Sequence, residues 1–597
     1  MSGVKSKLHG MRMAIHNLDR KISSSRFGRV FKLEGSGHPK EIPGSSLLAE
    51  IRAGATTFAT MAYIIAVNAA VISQSGGPCP CDLEDRTQCD SISSYAVCKE
   101  GVRRDLITAT AAISGLASFL FGLFTNLPVA LAPGMGLNAY FAFQVVGYNG
   151  SGRIPYGVAL TAVFVEGLIF IFLALTGMRQ WLVKLIPATI KTATGAGIGL
   201  FLTEIGLSYS AGLGAITGGW KATPLTIAGC PEEMIDPDSQ MCDGGLMTSP
   251  KMWTGIFAGG ILTAYLMAFR IKYAFIIGIA VVSIISWPRN TSITYFPNTD
   301  EGNERFEFFK HVVSVHPIKY TLNALDWKVT EHTSQFVLAL FTFLYVDIID
   351  ATATLYSMVR FCGVVNPKDG GFPRSTVAYC CDAGCISISS LLGCSPVTAF
   401  VESGAGIAEG GRTGLTAMVT GTCFLMSIFF APIFASIPPW ATGSTLILVG
   451  CMMIRQITQI NWRYIGDALP SFTVIAFIPF SYSVAYGLIA GLFLYTVING
   501  LVALTVWASG GRWEPQEYDM KEYWTWRGFG RPPWYVRAIR ARGRGDHENE
   551  SSTQSLHTNE DYDRSFTSTV PMSPIDYKDG SRDVTVPVPA VTPRSIH

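Results

Sequence analysis

Three acidic residues lie within apolar stretches of this chain that are long enough to enter a membrane. Asp347 and Asp350 stand in "FTFLYVDIIDATATLYSM" (341–358), and Glu402 stands in "TAFVESGAGIAEGGRTG" (398–414). Carboxylates inside a membrane are energetically expensive, and they usually line a pathway, bind a substrate or carry protons. These three residues are therefore the first candidates for chemistry.

Asp347 and Asp350 are spaced to act together. Because they are three residues apart, both project from about the same face of a helix. Two carboxylates this close repel each other, which favours keeping a proton on at least one of them near neutral pH. A structural role, in which either acid caps a helix or pairs with a neighbour, is the alternative.

Glu402 is surrounded by five glycines. Glycine lets a flat ligand approach the backbone closely, and a carboxylate beside it can accept hydrogen bonds from a ligand rich in N–H groups. The alternative is that the glycines only allow helices to pack closely. That alternative does not explain Glu402.

A second apolar stretch is also broken by glycine and proline. It reads "ALAPGMGLNAYFAF" (130–143) and contains Pro133, Gly136 and Asn138. Broken helices expose backbone N–H groups at membrane depth, which is tolerated only where protein or a water-filled cavity satisfies them. The positive ends of half-helices and the polar Asn138 make this stretch a candidate partner for Glu402.

The elements that must position these residues are membrane spans. Of 597 residues, 49% are hydrophobic and 15% are charged, which indicates an all-α polytopic membrane protein. We predict about fourteen spans, near 52–73, 105–125, 129–147, 154–177, 186–208, 252–269, 272–289, 333–359, 374–393, 395–410, 413–436, 441–456, 464–482 and 484–508. The short, broken spans are the third and the tenth, so each is third in a set of seven. This pattern predicts two inverted repeats of seven spans with the site between two discontinuous helices.

The distribution of charged residues predicts the orientation of the chain in the membrane. Residues 1–40 hold nine Lys and Arg against Asp19 and Glu34, and they contain no apolar core of a cleaved signal peptide, so we expect the amino terminus in the cytosol. An even number of spans returns the carboxyl terminus to the same side. We predict a cytoplasmic tail at 1–45, a transporter domain at 46–510 and a largely disordered, polar cytoplasmic tail at 511–597.

Six of the 13 cysteines lie in two loops that this topology places outside the cell. The loop after the first span holds four and the loop after the fifth holds two, namely Cys79, Cys81, Cys89, Cys98, Cys230 and Cys242. The oxidising side favours disulfides. A zinc site is the alternative, but no histidine lies among these cysteines.

Four other acids fall at membrane depth. Glu166, Glu204 and Asp382 stand alone in apolar segments, and each is either a packing or hydrogen-bond partner or a functional group. Asp467, in "NWRYIGDALPSFT", lies near the cytoplasmic end of a span, where it could pair with Arg463, cap a helix or take part in gating.

The segments "SPVTAFVESGAGIAEGGRTGLTA", "YVDIIDATATL" and "LAPGMGLNAYFAF" resemble the azaguanine-like (AzgA-type) purine permeases, the fungal hypoxanthine, adenine and guanine proton symporters. The resemblance runs from about residue 30 to 510. It implies a core of spans 1–4 and 8–11 that moves against a gate of spans 5–7 and 12–14, as an elevator. It also implies homodimers in the plasma membrane and proton-driven purine uptake.

The resemblance places the substrate site on Asn138, Asp347 and Glu402, with Gly136 and Ser403 beside it. It implies that Asp350 supports this site and that Asp467 influences transport. Glu402-Ser403 replaces the Gln-Asn pair of xanthine and urate transporters, which favours 6-oxo or 6-amino purines. The coupling ion is expected to be H⁺, with no cofactor, and the acid that carries the proton stays open.

Two other classes of protein compete with this interpretation. An anion exchanger or channel of the same general fold would need a positive pocket, whereas the broken spans offer carboxylates. An intramembrane enzyme would need catalytic groups on facing elements. Asp347 and Asp350 share one helix face, however, and the sequence has no HExxH stretch. We therefore expect a transporter that binds purines, protons and membrane lipid, and no nucleic acid.

Overall fold

The computed structural model describes the chain in segments. These are residues 21–39, 41–81, 89, 92–152, 154–179, 187–208, 212–217, 226–227, 249–330, 333–364, 372–510, 513 and 515. The chain divides into two units, Met1–Val536 and Arg537–His597, and every described residue belongs to the first. The predicted tail beyond residue 515 and the candidate cysteines Cys230 and Cys242 lie outside the described residues.

The first half of the chain consists of helices and, among its described residues, three short strands. The elements in order are α1 (Arg26–Phe31), α2 (Leu47–Met61), α3 (Tyr63–Ser73), α4 (Ser93–Thr125), β1 (Leu131–Pro133), α5 (Met135–Ala139) with a π-helical continuation (Tyr140–Val145), α6 (Tyr156–Thr176), α7 (Ala188–Leu207), β2 (Ile216–Thr217), β3 (Thr226–Ile227), α8 (Pro250–Thr254) with the π-helical Gly255–Ile261, α9 (Leu262–Ala268), α10 (Ala274–Ser286) and α11 (Asp300–Lys310).

The second half repeats the order of the first. It contains α12 (Thr333–Phe361), α13 (Ser375–Leu391), β4 (Val397–Ala399), α14 (Ser403–Ala408), α15 (Gly414–Ser427), α16 (Ala431–Ala435), α17 (Pro439–Ile454), α18 (Ile465–Ser481) and α19 (Val484–Ala508). In both halves, two long spans precede a strand that leads into a short helix, and a complete helix follows. The described elements therefore have the order expected of two seven-span repeats.

The two broken spans meet at their strands. β1 and β4 pair in antiparallel orientation, with Leu131 opposite Ala399 and Pro133 opposite Val397. Two backbone bonds extend this pairing, from Gly134 N to Pro396 O (2.9 Å) and from Phe400 N to Ala130 O (3.1 Å). The non-helical backbone is thus satisfied by the other broken span and, at Leu131, by the Ser118 hydroxyl of α4, as the membrane interior requires.

Glycines bring helices of the first half close to helices of the second half. On α7 and α17, a Cβ at Gly199 would lie 2.8 Å from the carbonyl oxygen of Gly450, and one at Gly443 would lie 2.7 Å from that of Gly206. Helices α4 and α15 are equally close, because a Cβ at Gly421 would lie 2.6 Å from the carbonyl oxygen of Gly115. Small residues at such crossings let backbones approach, which is how helices pack without a hydrophobic driving force.

Six described helical stretches are long and apolar enough to cross a membrane. They are Leu47–Ser73, Ser93–Thr125, Tyr156–Thr176, Thr333–Phe361, Pro439–Gln459 and Val484–Ala508. Shorter apolar helices lie between them, among them α10, α15 and α18. The protein is an all-α polytopic membrane protein.

Helix α4 begins at Ser93, twelve residues before the predicted start of the second span. The predicted spans leave residues 93–104 in the loop before the second span. In the structure, Glu100 accepts a hydrogen bond from Arg305 at 3.0 Å, and Arg104 donates one to Glu304 at 3.1 Å. Partners from α11 therefore pair with charged residues in the first turns of α4, which extends beyond the apolar run.

Candidate functional site

Glu402 lies at the point where β4 turns into α14. Its Oε1 accepts a hydrogen bond from the Tyr63 hydroxyl on α3 at 2.8 Å. Its Oε2 is buried and has no hydrogen-bond partner among the described residues. One carboxylate oxygen is therefore fixed by the protein, and the other can accept a bond from a ligand.

Ser403 and Thr60 hold this turn in place. The Ser403 hydroxyl accepts a hydrogen bond from Ala130 N at 3.0 Å, which ties the tenth span to the third. The Thr60 hydroxyl lies 3.5 Å from the Glu402 carbonyl oxygen that it donates to. Ser403 thus orients the backbone next to Glu402 and leaves the carboxylate free to bind.

The glycines around Glu402 serve different purposes. A Cβ at Gly406 would lie 2.7 Å from the Ala53 carbonyl oxygen on α2, so this glycine is needed for close packing. A Cβ at Gly404 would meet nothing nearer than Met358 Sδ at 3.7 Å. Gly410 has a φ of +101°, which side chains rarely adopt. The packing alternative thus accounts for Gly406 but not for Gly404.

Asn138 and Gly136 lie on α5, the short helix that follows β1. Asn138 is fully buried, and neither its amide nitrogen nor its amide oxygen has a partner within the described ranges. Gly136 faces α7, where a Cβ would lie 2.7 Å from Ile198 Cγ2. Gly136 therefore sets how closely α5 can approach α7, whereas Asn138 offers both a donor and an acceptor.

The two acids of α12 have different surroundings. Asp350 accepts hydrogen bonds from Thr354 at 3.3 Å and from Thr398 of β4 at 3.4 Å. Asp347 is fully buried, and neither of its carboxylate oxygens has a partner in the part of the chain that the structure describes. Asp350 is thus held against the broken tenth span, and Asp347 retains its whole hydrogen-bonding capacity.

The fold brings the elements of the predicted site together. Because β1 and β4 are antiparallel, α5, with Asn138, and α14, next to Glu402, begin at opposite ends of this strand pair. Helix α12 contacts α5, α14 and β4. Asn138, Asp347 and Glu402 form no hydrogen bond with one another. Each keeps at least one buried polar atom unpaired, which is costly unless a polar ligand or water completes the site.

Aromatic rings lie near two of the site residues in the chain, on α12 before Asp347 and after Asn138. Phe343, four residues before Asp347 on α12, contacts the ring of Tyr140 edge to face at 5.2 Å and that of Phe141 at 6.2 Å. All three rings are buried. Flat, apolar faces beside unpaired polar groups suit a planar heteroaromatic ligand.

Asp467 lies in another part of the molecule, in the first turn of α18. It is buried, and its Oδ2 accepts a hydrogen bond from Asn461 Nδ2 at 3.2 Å. Helix α18 packs against α7 and α19. An acid at a helix amino terminus is favoured by the helix dipole, so the position fits a structural role.

Sequence reasoning missed Tyr63. A phenol in the otherwise apolar "MAYIIAVNAA" was the available signal, because a buried tyrosine hydroxyl usually has a hydrogen-bond partner. Its ring also lies 5.6 Å from that of Phe275 on α10. Tyr63 therefore connects the Glu402 carboxylate to a helix of the predicted gate.

Four of the candidate cysteines form two disulfides. Cys79 is joined to Cys98, and Cys81 is joined to Cys89. The described residues contain no group of His, Cys, Asp and Glu side chains that could hold a metal ion. The loop between α3 and α4 is thus crosslinked to the start of α4.

The fold and the site together define a membrane transporter, in which polar groups are held within a bundle of apolar helices by two broken spans. The chain belongs to the Permease family, whose profile Xan_ur_permease matches residues 92–228 and 241–503. It is a transporter and not an enzyme.

Several relatives match most of the chain. Efflux pump notK' of Aspergillus versicolor is 56% identical, with 87% of this chain and 91% of the relative covered. The putative xanthine/uracil permease C887.17 of Schizosaccharomyces pombe is 54% identical, covering 89% and 84%. Guanine/hypoxanthine permease PbuO of Bacillus subtilis is 31% identical, covering 79% and 93%. Among solved structures, the transmembrane domain of the cyanobacterial bicarbonate transporter BicA is similar with a TM-score of 0.48 and 18% identity, covering 74% and 97%.

Proposed function

We propose that this protein carries the purine nucleobases adenine, guanine and hypoxanthine across the plasma membrane together with protons. The observation that carries the proposal is the unpaired, buried Oε2 of Glu402 at the junction of two broken spans. Relatives named as guanine/hypoxanthine and adenine permeases are 31% and 30% identical over most of the chain, which supports a purine substrate.

The chemistry of the site matches these ligands. Guanine and hypoxanthine present a ring N–H, and guanine has an amino group next to it, so a carboxylate can accept one or two hydrogen bonds. Asn138 and Asp347 would contact the opposite edge of the ring, and the aromatic faces of Tyr140 and Phe343 would enclose the base. A site built for N–H donors rejects molecules that lack them, because its buried polar groups would stay unpaired.

Coupling to protons follows from the buried acids. Asp347, Asp350 and Glu402 lie in or beside the site, and a loaded site crosses the membrane more easily when its charge is neutralised. We propose an elevator motion, in which spans 1–4 and 8–11 move as a core against a gate of spans 5–7 and 12–14. Both termini lie in the cytoplasm, and the protein works as a homodimer in membrane lipid. H⁺ is the only coupling species.

Export is the second candidate for the direction of net transport. The relative from Aspergillus versicolor with 56% identity is named an efflux pump. An alternating-access site binds its substrate from either side, so the gradients decide the direction. Export of a different heteroaromatic compound through the same site is therefore the competing function.

Radiolabelled guanine uptake into proteoliposomes that contain the full chain tests the proposal. With an inward proton gradient we expect accumulation that an uncoupler abolishes and that unlabelled adenine and hypoxanthine inhibit. The Glu402→Ala variant is the matched control and should show no accumulation. Absence of guanine uptake by the wild-type protein under any gradient would refute the purine assignment. Accumulation that the uncoupler leaves unchanged would refute proton coupling alone.

A further inference from the structure

Two buried carboxyl groups lie outside the site described above. Glu166 on α6 and Asp382 on α13 are 0% and 1% exposed. None of their four carboxyl oxygens has a hydrogen-bond partner among the residues that the structure describes. Burying a carboxylate without a partner is costly, which favours its protonated form over its charged form. Both groups are therefore suited to bind a proton and not to form a structural ion pair.

The helices that carry these two acids, α6 and α13, pack closely against each other. A Cβ at Gly167, next to Glu166, would lie 2.7 Å from the Ala383 carbonyl oxygen, next to Asp382. The Ser387 hydroxyl also donates a hydrogen bond from α13 to Phe164 O on α6 at 3.1 Å. The backbones of the two helices are thus in close contact next to both acids.

The surroundings of the pair are mostly acidic. Asp382 and Glu166 interact electrostatically with each other, and both interact with Asp347 of α12. The other titratable or charged groups are Asp350 on α12, Arg179 beyond the carboxyl end of α6, and Tyr379, Cys381 and Cys385 on α13. Arg179 is the cation among these groups. Its guanidinium donates a hydrogen bond to the Thr352 hydroxyl at 2.5 Å and lies 3.3 Å from the centroid of the Tyr379 ring.

We propose that Glu166 and Asp382 form a proton-binding site of their own, and that purine binding at Asp347 drives proton uptake by this pair. The proposal rests on the proposed function for its ligand. When purine N–H groups bind the charged form of Asp347, the negative charge is kept on that residue. Like-charge repulsion then favours a proton on Glu166 or Asp382, which adds one O–H bond from a solvent proton and removes one negative charge.

Linkage makes this effect reciprocal. If the purine promotes proton binding by the pair, a proton on the pair promotes purine binding to the same extent. At low pH the pair is protonated and guanine binds tightly. Above the midpoint of the pair, guanine affinity falls by up to about tenfold per pH unit for each linked proton.

Guanine binding to the purified full chain in lipid nanodiscs, measured from acid to alkaline pH, tests the proposal. The double variant Glu166→Gln, Asp382→Asn has no ionisable group at the pair. Its affinity for guanine should therefore stay high at the alkaline pH values at which the affinity of the wild type falls. Ser387→Ala removes the hydrogen bond to Phe164 O but leaves both acids and the close contact at Gly167, so it should keep the wild-type pH profile. Glu166→Asp keeps an acid and should retain the pH dependence with a displaced midpoint.

A double variant with the wild-type pH profile would overturn the proposal and leave purine transport intact. If the amide variants did not fold, Glu166→Asp and Asp382→Glu would carry the test, and unchanged midpoints in both would overturn it. Infrared difference spectra between two pH values give a readout that needs no purine. They should contain the C=O stretch of a protonated carboxyl group that is lost in the amide variants, and persistence of that band in full would contradict the assignment even if guanine were not the substrate.

Discussion

Replacing Glu402 by glutamine tests the substrate site most directly. Tyr63 donates to Oε1 at 2.8 Å, and the side-chain oxygen of glutamine can still accept that bond. The amide nitrogen then takes the place of the unpaired Oε2, so an acceptor that faces the ligand becomes a donor. The N–H groups of guanine would meet this donor.

The expected loss is that of a hydrogen bond to a charged group. Such a bond contributes about 1.5 to 3 kcal/mol, which corresponds to roughly tenfold to a hundredfold in affinity. The loss should be larger for guanine, which can use two donors, than for hypoxanthine, which offers one on that edge. Tyr63→Phe removes only the bond to Oε1 and leaves the ligand-facing oxygen unchanged, so it should weaken binding less.

Inhibition constants for guanine and hypoxanthine, measured by competition with a radiolabelled purine in intact cells, give both comparisons. Surface biotinylation shows whether each variant reaches the membrane. If Glu402→Gln reaches the surface and binds both purines as tightly as the wild type, Glu402 is not a ligand of the substrate. The glycines around it would then serve packing alone.

Three further predictions concern coupling, orientation and packing. Guanine uptake should fall as the external pH rises, because fewer protons are available to the buried acids, and uptake that follows a sodium gradient instead would exclude proton coupling. After reduction, an impermeant thiol reagent should label Cys79, Cys81, Cys89 and Cys98 in intact cells, with a variant carrying Ser at all four positions as control; labelling only after permeabilisation would reverse the orientation. Gly406→Ala should destabilise the folded protein by about 1 to 3 kcal/mol, because its Cβ would lie 2.7 Å from the Ala53 carbonyl oxygen. Gly404→Ala, with its nearest neighbour at 3.7 Å, is the matched control, and equal thermal stability of the two variants in detergent would contradict this account of the packing.

The sequence alone was sufficient for the class of fold. Apolar runs of about twenty residues predict spans, because the thickness of the bilayer fixes their length. Glycine and proline within two such runs predict the broken spans, and the structure pairs those two segments as β1 and β4. The acids could be recognised as candidates because a carboxylate in an apolar run is expensive wherever the run is placed.

The limits of each element were less well determined by local sequence. Helix α4 begins at Ser93, and charged residues in its first turns pair with Arg305 and Glu304, which lie about two hundred residues further along the chain. The apolar run that predicts the span begins only at about residue 105. Hydrophobicity therefore marks where a helix is buried in the membrane, but not where the helix begins.

Only the tertiary structure decided which polar groups act together. The hydrogen bond from Tyr63 to Glu402 joins residues that are 339 positions apart. Asp347 and Asp350 share a helix face in the sequence pattern, yet only Asp350 has hydrogen bonds with Thr354 and Thr398. In the sequence, nothing connects Glu166 with Asp382, and it is the packing of α6 on α13 that makes them a pair. Hydrogen bonds and charge interactions depend on distances of a few ångströms, and long-range packing sets those distances.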